Sequence, residues 1–214
     1  MDGKNIVSQK FMNDKAIFAD LFNFLYHNGE RVVKSEELFP LSEISEYEIT
    51  SNEIKLISVM SNKKEIFAVF EVNNQPQIYS ASIHYLLMEM VNYYIAQIEK
   101  TAGFQKGDKL YPVVPAVIYL KNDKWNGAKS FDEMFDVSNE AYRKSIPQYD
   151  LKLVSPYDLK DEDFSKFHTE LGIVLEFIKY SGDKSTLKEL VQSEPKYKNL
   201  SRNAAEMLRV FGDM

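Results

Sequence analysis

Cysteine is absent from this 214-residue sequence. That excludes a disulfide framework, a thiol nucleophile and any cysteine-ligated zinc site. Histidine is nearly as scarce. His27, His84 and His168 lie far apart, which argues against a His-rich metal centre. The 8 glycines are scattered. No glycine-rich phosphate loop, G-x-S-x-G elbow or H-E-x-x-H pair occurs, so spacing alone marks no catalytic class. An excess of basic charge is also missing. Lys and Arg number 26 against 32 Asp and Glu, for a net charge of −6. Any DNA contact therefore needs a local basic face, because the global field opposes it. No apolar run reaches the length of a membrane span. The longest, Tyr111 to Leu120, contains Pro112 and Pro115. The opening MDGKNIVSQK has no apolar signal-like region. The expectation is a cytoplasmic protein with no membrane partner.

What is present suits a folded domain. Apolar residues make up 44% of the chain and aromatic ones 13%, enough to build a core without staples. Phe18, Leu21, Phe22 and Leu25 recur at helical spacing and predict a helix over Asp14–His27, capped by Asn13 or Asp14 and stopped at Asn28-Gly29. Arg31–Pro40 reads as a short extended piece and a turn, and Ser42–Asn52 as an acidic loop. Glu53–Met60 and Glu65–Val72 read as strands joined by the polar turn Ser61–Lys64. The run Ile66–Phe70 is wholly apolar, as in a central strand covered on both faces. Ala81–Glu99 is the strongest helical pattern, and Gly103–Lys109 a mildly basic loop. Tyr111–Leu120 predicts a third strand, which its prolines would confine near an edge or its own start. Trp125 anchors a turn, Ser130–Phe135 is a short helix with Ser130 as cap, and Asp150–Val154 is a fourth strand. Helices follow over Asp161–Tyr180, Ser185–Gln192 and Leu200–Phe211. This order argues an α/β or α+β domain with a small mixed sheet and a helical C-terminal third.

One constellation could carry chemistry. Residues two apart on a strand share a face, so Glu71, Asn73 and Gln75 line one side of the second strand's end. Carboxylates at such strand ends can hold a hard cation that activates water. By residue type alone, a polar turn at a strand end is the commoner explanation.

The ordered motifs add a resemblance. Phe18–Leu25 is similar to an opening helix, and Gly29–Lys34 with Glu37-Leu38 to the extended segment after it. Lys109–Val114 through Val117-Ile118-Tyr119, Trp125–Ser130, Glu133-Met134-Phe135 and Phe177–Ser181 with Asp183-Lys184 follow in matching order. Together they resemble the recombination-promoting nuclease / putative transposase (YhgA-like) family, within the PD-(D/E)XK, restriction-endonuclease-like superfamily. The resemblance implies an α/β restriction-endonuclease-like core with a small mixed sheet flanked by helices. It implies a nuclease-like domain over 1–160 and a helical C-terminal extension over 161–214 packed on the same domain. It also implies Mg²⁺-dependent DNA cleavage.

The sequence departs from the family at the expected site. The family carries Arg-Asp-Val on the first strand and Glu-Asn-Gln at the end of the second. Here Asn74 and Gln75 match, but Asn73 replaces the glutamate. Counted without gaps, the aspartate falls near Ile54 or Lys55, and a shifted register offers Glu53. Two readings stay open. In one, Glu53 and Glu71 hold Mg²⁺ with Asn73 and Gln75 assisting. In the other, the metal site is degenerate, and the chain binds DNA or pairs with a second copy or an active homologue. Lys55, Lys106 and Lys109 are candidate DNA contacts, as is His84, which stands where the family has an arginine. His168 reads as structural, and His27 sits in a last helical turn, where a cation suits the helix dipole.

Overall fold

The computed structural model describes residues 3–41, 54–72, 81–100 and 104–212. The chain clusters into two compact units. One comprises Met1–Leu38, Ile118–Trp125 and Leu153–Met214, and the other Phe39–Val117 and Asn126–Lys152.

The first unit is mainly helical. Its elements are α1 (Gly3–Met12), α2 (Lys15–His27), α5 (Asp161–Phe164), α6 (Glu170–Tyr180), α7 (Lys184–Ser193) and α8 (Arg202–Phe211). The expected cap of α2 is Asp14, whose carboxylate accepts from the amides of Ala16 and Ile17. The expected stop is also found: Asn28 and Gly29 take left-handed φ values of 51° and 89°. Phe18, Leu21 and Phe22 of α2 are buried, as are Leu171, Val174, Leu175 and Ile178 of α6.

Two polar residues on the inward side of α2 decide how the rest of this unit folds. Asp20 is 3% exposed. Its carboxylate accepts from the amides of His168 and Thr169 at 3.0 and 2.9 Å, and from the Thr169 hydroxyl at 2.7 Å. Asn23, equally buried, donates from Nδ2 to the Val33 carbonyl at 2.9 Å. Its Oδ1 accepts from the amides of Val32 and Val33 at 3.0 and 2.7 Å. One helix thus pins two irregular segments, because backbone groups buried there need partners from somewhere.

The Asp20 contacts correct the expected single helix Asp161–Tyr180. The segment is α5 and α6 separated by residues 165–169. The His168 and Thr169 amides turn to the carboxylate instead of a preceding carbonyl, and Thr169 then caps α6 through the Leu171 amide. His168 is structural here, as its ring Nε2 meets the Gly29 carbonyl at 2.9 Å. Gly29 is required twice over. Its φ suits glycine, and a Cβ there would lie 2.7 Å from the Lys166 carbonyl oxygen.

Helix α1 is absent from the periodicity reading. Its apolar face is only Val7, Phe11 and Met12, too short a stripe to stand out. It packs on α8, whose buried face is Ala204, Met207 and Phe211. Trp125 is buried as expected of a turn anchor and meets Tyr119 edge to face at 5.2 Å.

The strands are β1 (Phe39–Pro40), β2 (Ile54–Ser61), β3 (Ile66–Val72), β4 (Val113–Ile118) and β5 (Leu153–Val154), with that same order in the sheet. In the second unit, β1, β2 and β3 are antiparallel neighbours. The turn between β2 and β3 is closed by Asn62, whose Oδ1 accepts from the amides of Lys64 and Glu65. Every residue of β3 is buried, as its apolar run predicts. Helix α3 (Ala81–Lys100) follows β3. The chain then enters β4, where the Ile66 amide donates to the Pro112 carbonyl. The two strands therefore start together and run parallel, so the sheet is mixed and the architecture is α/β. A single helical turn, α4 (Glu140–Arg143), is too short to leave a periodic signature in the sequence. The segment expected as a capped helix at Ser130–Phe135 is a 3₁₀ turn, Phe131–Met134, without a side-chain cap.

The prolines fall at the start of β4, one just before it and one third in it, and not at a sheet edge, since β4 lies between β3 and β5. The amides of Val117 and Tyr119 donate to the carbonyls of Lys152 and Val154. Alternate amides point the same way along a strand, so Pro115's missing N–H falls on the β5 side, ahead of where β5 begins. No bond of that ladder is lost.

Replacing Asp20 by alanine is expected to cost about 3 kcal/mol or more, because two amides and a hydroxyl lose a buried charged acceptor. Asp20→Asn should cost less, as it keeps one acceptor oxygen. Gly29→Ala should also destabilise, by roughly 1–3 kcal/mol, since left-handed backbone strain and the clash act together. Denaturant midpoints of the three variants check these values. A midpoint unchanged for Asp20→Ala would refute the assigned role.

Candidate functional site

The residues singled out from the sequence fall in different states of description. Glu53, Asn73 and Gln75 lie outside the described residues. Glu71 is on β3, near its C-terminal end, and is 3% exposed. Lys55 is on β2, and the ladder sets it directly across from Glu71. The pairing then slips between Leu56 and Ser58, where β2 carries one extra residue. Such bulges re-aim the strand beyond them. Among the described residues, no group of three His, Asp or Glu stands close enough to hold a metal ion.

His84 lies in the first turn of α3 on its exposed side, edge to face with Tyr85 at 5.5 Å. The opposite side of α3 is core, with Ile83, Leu86, Tyr93 and Ala96 buried. Burial, reinforced by Glu89, pushes the Tyr93 phenol above its ordinary value. Tyr93 is therefore a neutral core residue.

Lys106 and Lys109 are exposed on the loop that joins α3 to β4. The loop is shaped locally. The Gln105 amide donates to the Asp108 carboxylate at 2.8 Å, and the Asp108 amide returns to the Gln105 carbonyl at 3.1 Å. Gly107 between them has φ 110°, a value that suits glycine. The far end of the loop is fastened by Gln97 of α3. Its Oε1 accepts from the Tyr111 amide at 2.7 Å, and its Nε2 donates to the Tyr111 carbonyl at 3.1 Å. Tyr94 adds a bond from the Val113 amide to its hydroxyl at 3.1 Å.

Two large aromatic side chains flank the lysines. Phe104 is 42% exposed and Tyr111 50%. The loop thus presents Phe104, Lys106, Lys109 and Tyr111 to solvent. Cations flanked by aromatic faces are a pattern that contacts phosphates and stacks on bases. Charge marks the two lysines in the sequence, but neither aromatic residue nor Gln97 is singled out there. The placing of Phe104 and Tyr111 on either side of the lysines is the signal that the sequence offers.

Not all candidates come together. The loop leads into the start of β4, which lies beside the start of β3. Glu71 is five residues further along β3, so about 17 Å away at the rise of a strand. His84 is thirteen residues before Gln97, about 20 Å along the helix. The lysine loop therefore lies at one end of the sheet, and Glu71 with Lys55 towards the other.

Gln97→Ala is expected to release the Tyr111 backbone at a stability cost of about 1 kcal/mol. Hydrogen exchange should quicken at the Tyr111 amide while the amides inside β3 keep their protection. Unchanged exchange at Tyr111 would show that the loop is held by something else.

Comparison with known proteins supplies a family. Among the described residues, no helix is long and apolar enough to cross a membrane. No curated protein and no solved structure matches the chain. Residues 37–206 match the family described as putative transposase, YhgA-like.

Proposed function

The chain belongs to the YhgA-like putative transposase family, and from that premise we propose that it is a DNA-binding member whose nuclease site is degenerate. The observation that carries the DNA contact is the tethered loop with exposed Phe104, Lys106, Lys109 and Tyr111. It supplies the local basic face that a chain of net charge −6 needs. Its lysines meet phosphates, and its aromatic rings offer faces for stacking. His84 and Lys55 are secondary contacts in this reading.

The fold we assign is the PD-(D/E)XK nuclease type, with a nuclease-like domain over 1–160 and the helical extension over 161–214. In an active member, carboxylates at the strand ends would hold Mg²⁺, which supplies a lowered water pKa and charge neutralisation at the phosphate. Two features support loss of that role here. Asn73 stands at the position of the family's glutamate and brings no charge to a cation. The register also puts a lysine, not an acid, across from Glu71. The rival reading keeps a displaced metal site of Glu53 and Glu71, with Asn73 and Gln75 as neutral ligands.

Plasmid nicking in Mg²⁺ or Mn²⁺ separates the two, with an active family member run alongside. The degenerate reading expects no nicking by the wild type. Metal-dependent nicking that disappears in both Glu71→Gln and Glu53→Gln would establish the displaced site instead. Binding is tested by fluorescence anisotropy on a short duplex and a single strand. Lys106→Ala/Lys109→Ala should weaken binding and reduce the salt slope by about 2, one unit for each phosphate contact. A double variant that binds with the wild-type slope would rule out the loop.

A further inference from the structure

The loop over 104–112 is neither a helix nor a paired ribbon, the two shapes that the major groove of a duplex admits. What it offers to bases is a pair of rings, the exposed side chains of Phe104 and Tyr111. Tyr111 is the more firmly set. Gln97 grips both its amide and its carbonyl, at 2.7 and 3.1 Å. Pro112 follows it and bars the helical conformation to the residue before it. With the backbone held, a tyrosine has little rotamer freedom left to lose on contact. Phe104 stands directly before the turn that Gln105 and Asp108 close. That turn also engages the acid of the loop, because the Asp108 carboxylate accepts from the Gln105 amide. Lys106 and Lys109 are exposed between the two rings.

We infer that the loop takes single-stranded DNA in preference to duplex, with one unpaired base on Tyr111, a second on Phe104 and the backbone between them on the lysines. This rests on the reading of the loop as the DNA contact. Inside a duplex each base face is covered by its neighbours, so an exposed ring finds a face only where the stack is broken. An unpaired strand offers its faces along its length.

Magnitudes decide between the two forms. Lysines alone favour the duplex, which carries more charge per unit length. For two phosphate contacts the salt slopes of duplex and single strand differ by about 0.4, which is only about 2.5-fold in affinity per tenfold change in salt. One base stacked on an aromatic ring contributes roughly fivefold to 150-fold. Stacking on a single ring therefore outweighs the charge density of the duplex. Every base has a face to stack, so sequence should matter little.

Fluorescence anisotropy of the full chain, in about 0.1 M salt, compares a mixed-sequence strand of about 20 nucleotides with its blunt duplex. The single strand should bind at least about fivefold more tightly. Phe104→Leu/Tyr111→Leu should lose that margin and leave duplex binding within about twofold, whereas Lys106→Ala/Lys109→Ala should weaken both forms. Circular dichroism of the leucine variant should match the wild type, since both side chains are exposed and Gln97 holds Tyr111 by its backbone. Tyr111→Trp gives a direct signature. Trp125 is the one native tryptophan and is buried, so the added indole reports on the loop. Its emission should be quenched by the single strand and not by the duplex. Equal binding of the two forms, a preference that survives the leucine variant, or an indole quenched equally by both would overturn the inference, while a lysine variant that still weakens binding would keep the loop as a DNA contact. A chain that binds neither form, or a lysine variant that binds both like the wild type, would remove the loop from DNA and this inference with it.

Discussion

A single buried carboxylate organises the helical unit. Asp20 sits on the inward side of α2, between phenylalanines that are fully buried. An isolated carboxylate there would be costly. It is stable because two amides and a hydroxyl converge on it from His168 and Thr169. Those donors exist only if the chain between α5 and α6 leaves the helical path. The carboxylate and the break therefore require each other. The break places His168 against Gly29 and brings Lys166 so close to that residue that no side chain fits. Asn23, one turn along α2, orders the segment from Val32 to Val33 by the same device. Asp20 and Asn23 fall within the motif Phe18–Leu25, and in this chain their chemistry is structural.

The sheet unit is organised differently. Its central strand β3 is buried throughout, and parallel pairing with β4 needs a crossover. Helix α3 is that crossover. One of its faces completes the core, and its end holds a basic loop through Gln97.

Legibility follows the range of the interaction. Helices α2, α3, α7 and α8 and the strands β2 and β3 are readable because each repeats its apolar residues at its own local period. The cap at Asp14 and the stop at Asn28-Gly29 are readable because capping involves neighbours. Helix α1 is not, because its short stripe has meaning only beside α8, at the other end of the sequence. Of the two places expected for the prolines of β4, an edge or the strand's own start, the structure has the second, and the strand stays central because no partner strand needs an N–H there. Of the candidate site, charge reveals Lys106 and Lys109. Phe104 and Tyr111 are marked only by their place on either side of the lysines, and Gln97 stays hidden, because a two-point backbone clamp leaves no local pattern.

Composition, period and ordered motifs are properties of the chain alone, and they suffice for the exclusions, the amphipathic elements and the family. Where the polar residues act is settled only on folding. Asp20 meets His168 from 148 positions away, and the backbone of Lys55 comes opposite that of Glu71 only through the register of a bulged ladder. Such pairings depend on which segments pack together. No local period encodes them, because the energy that selects them is released only when distant backbone groups are buried side by side.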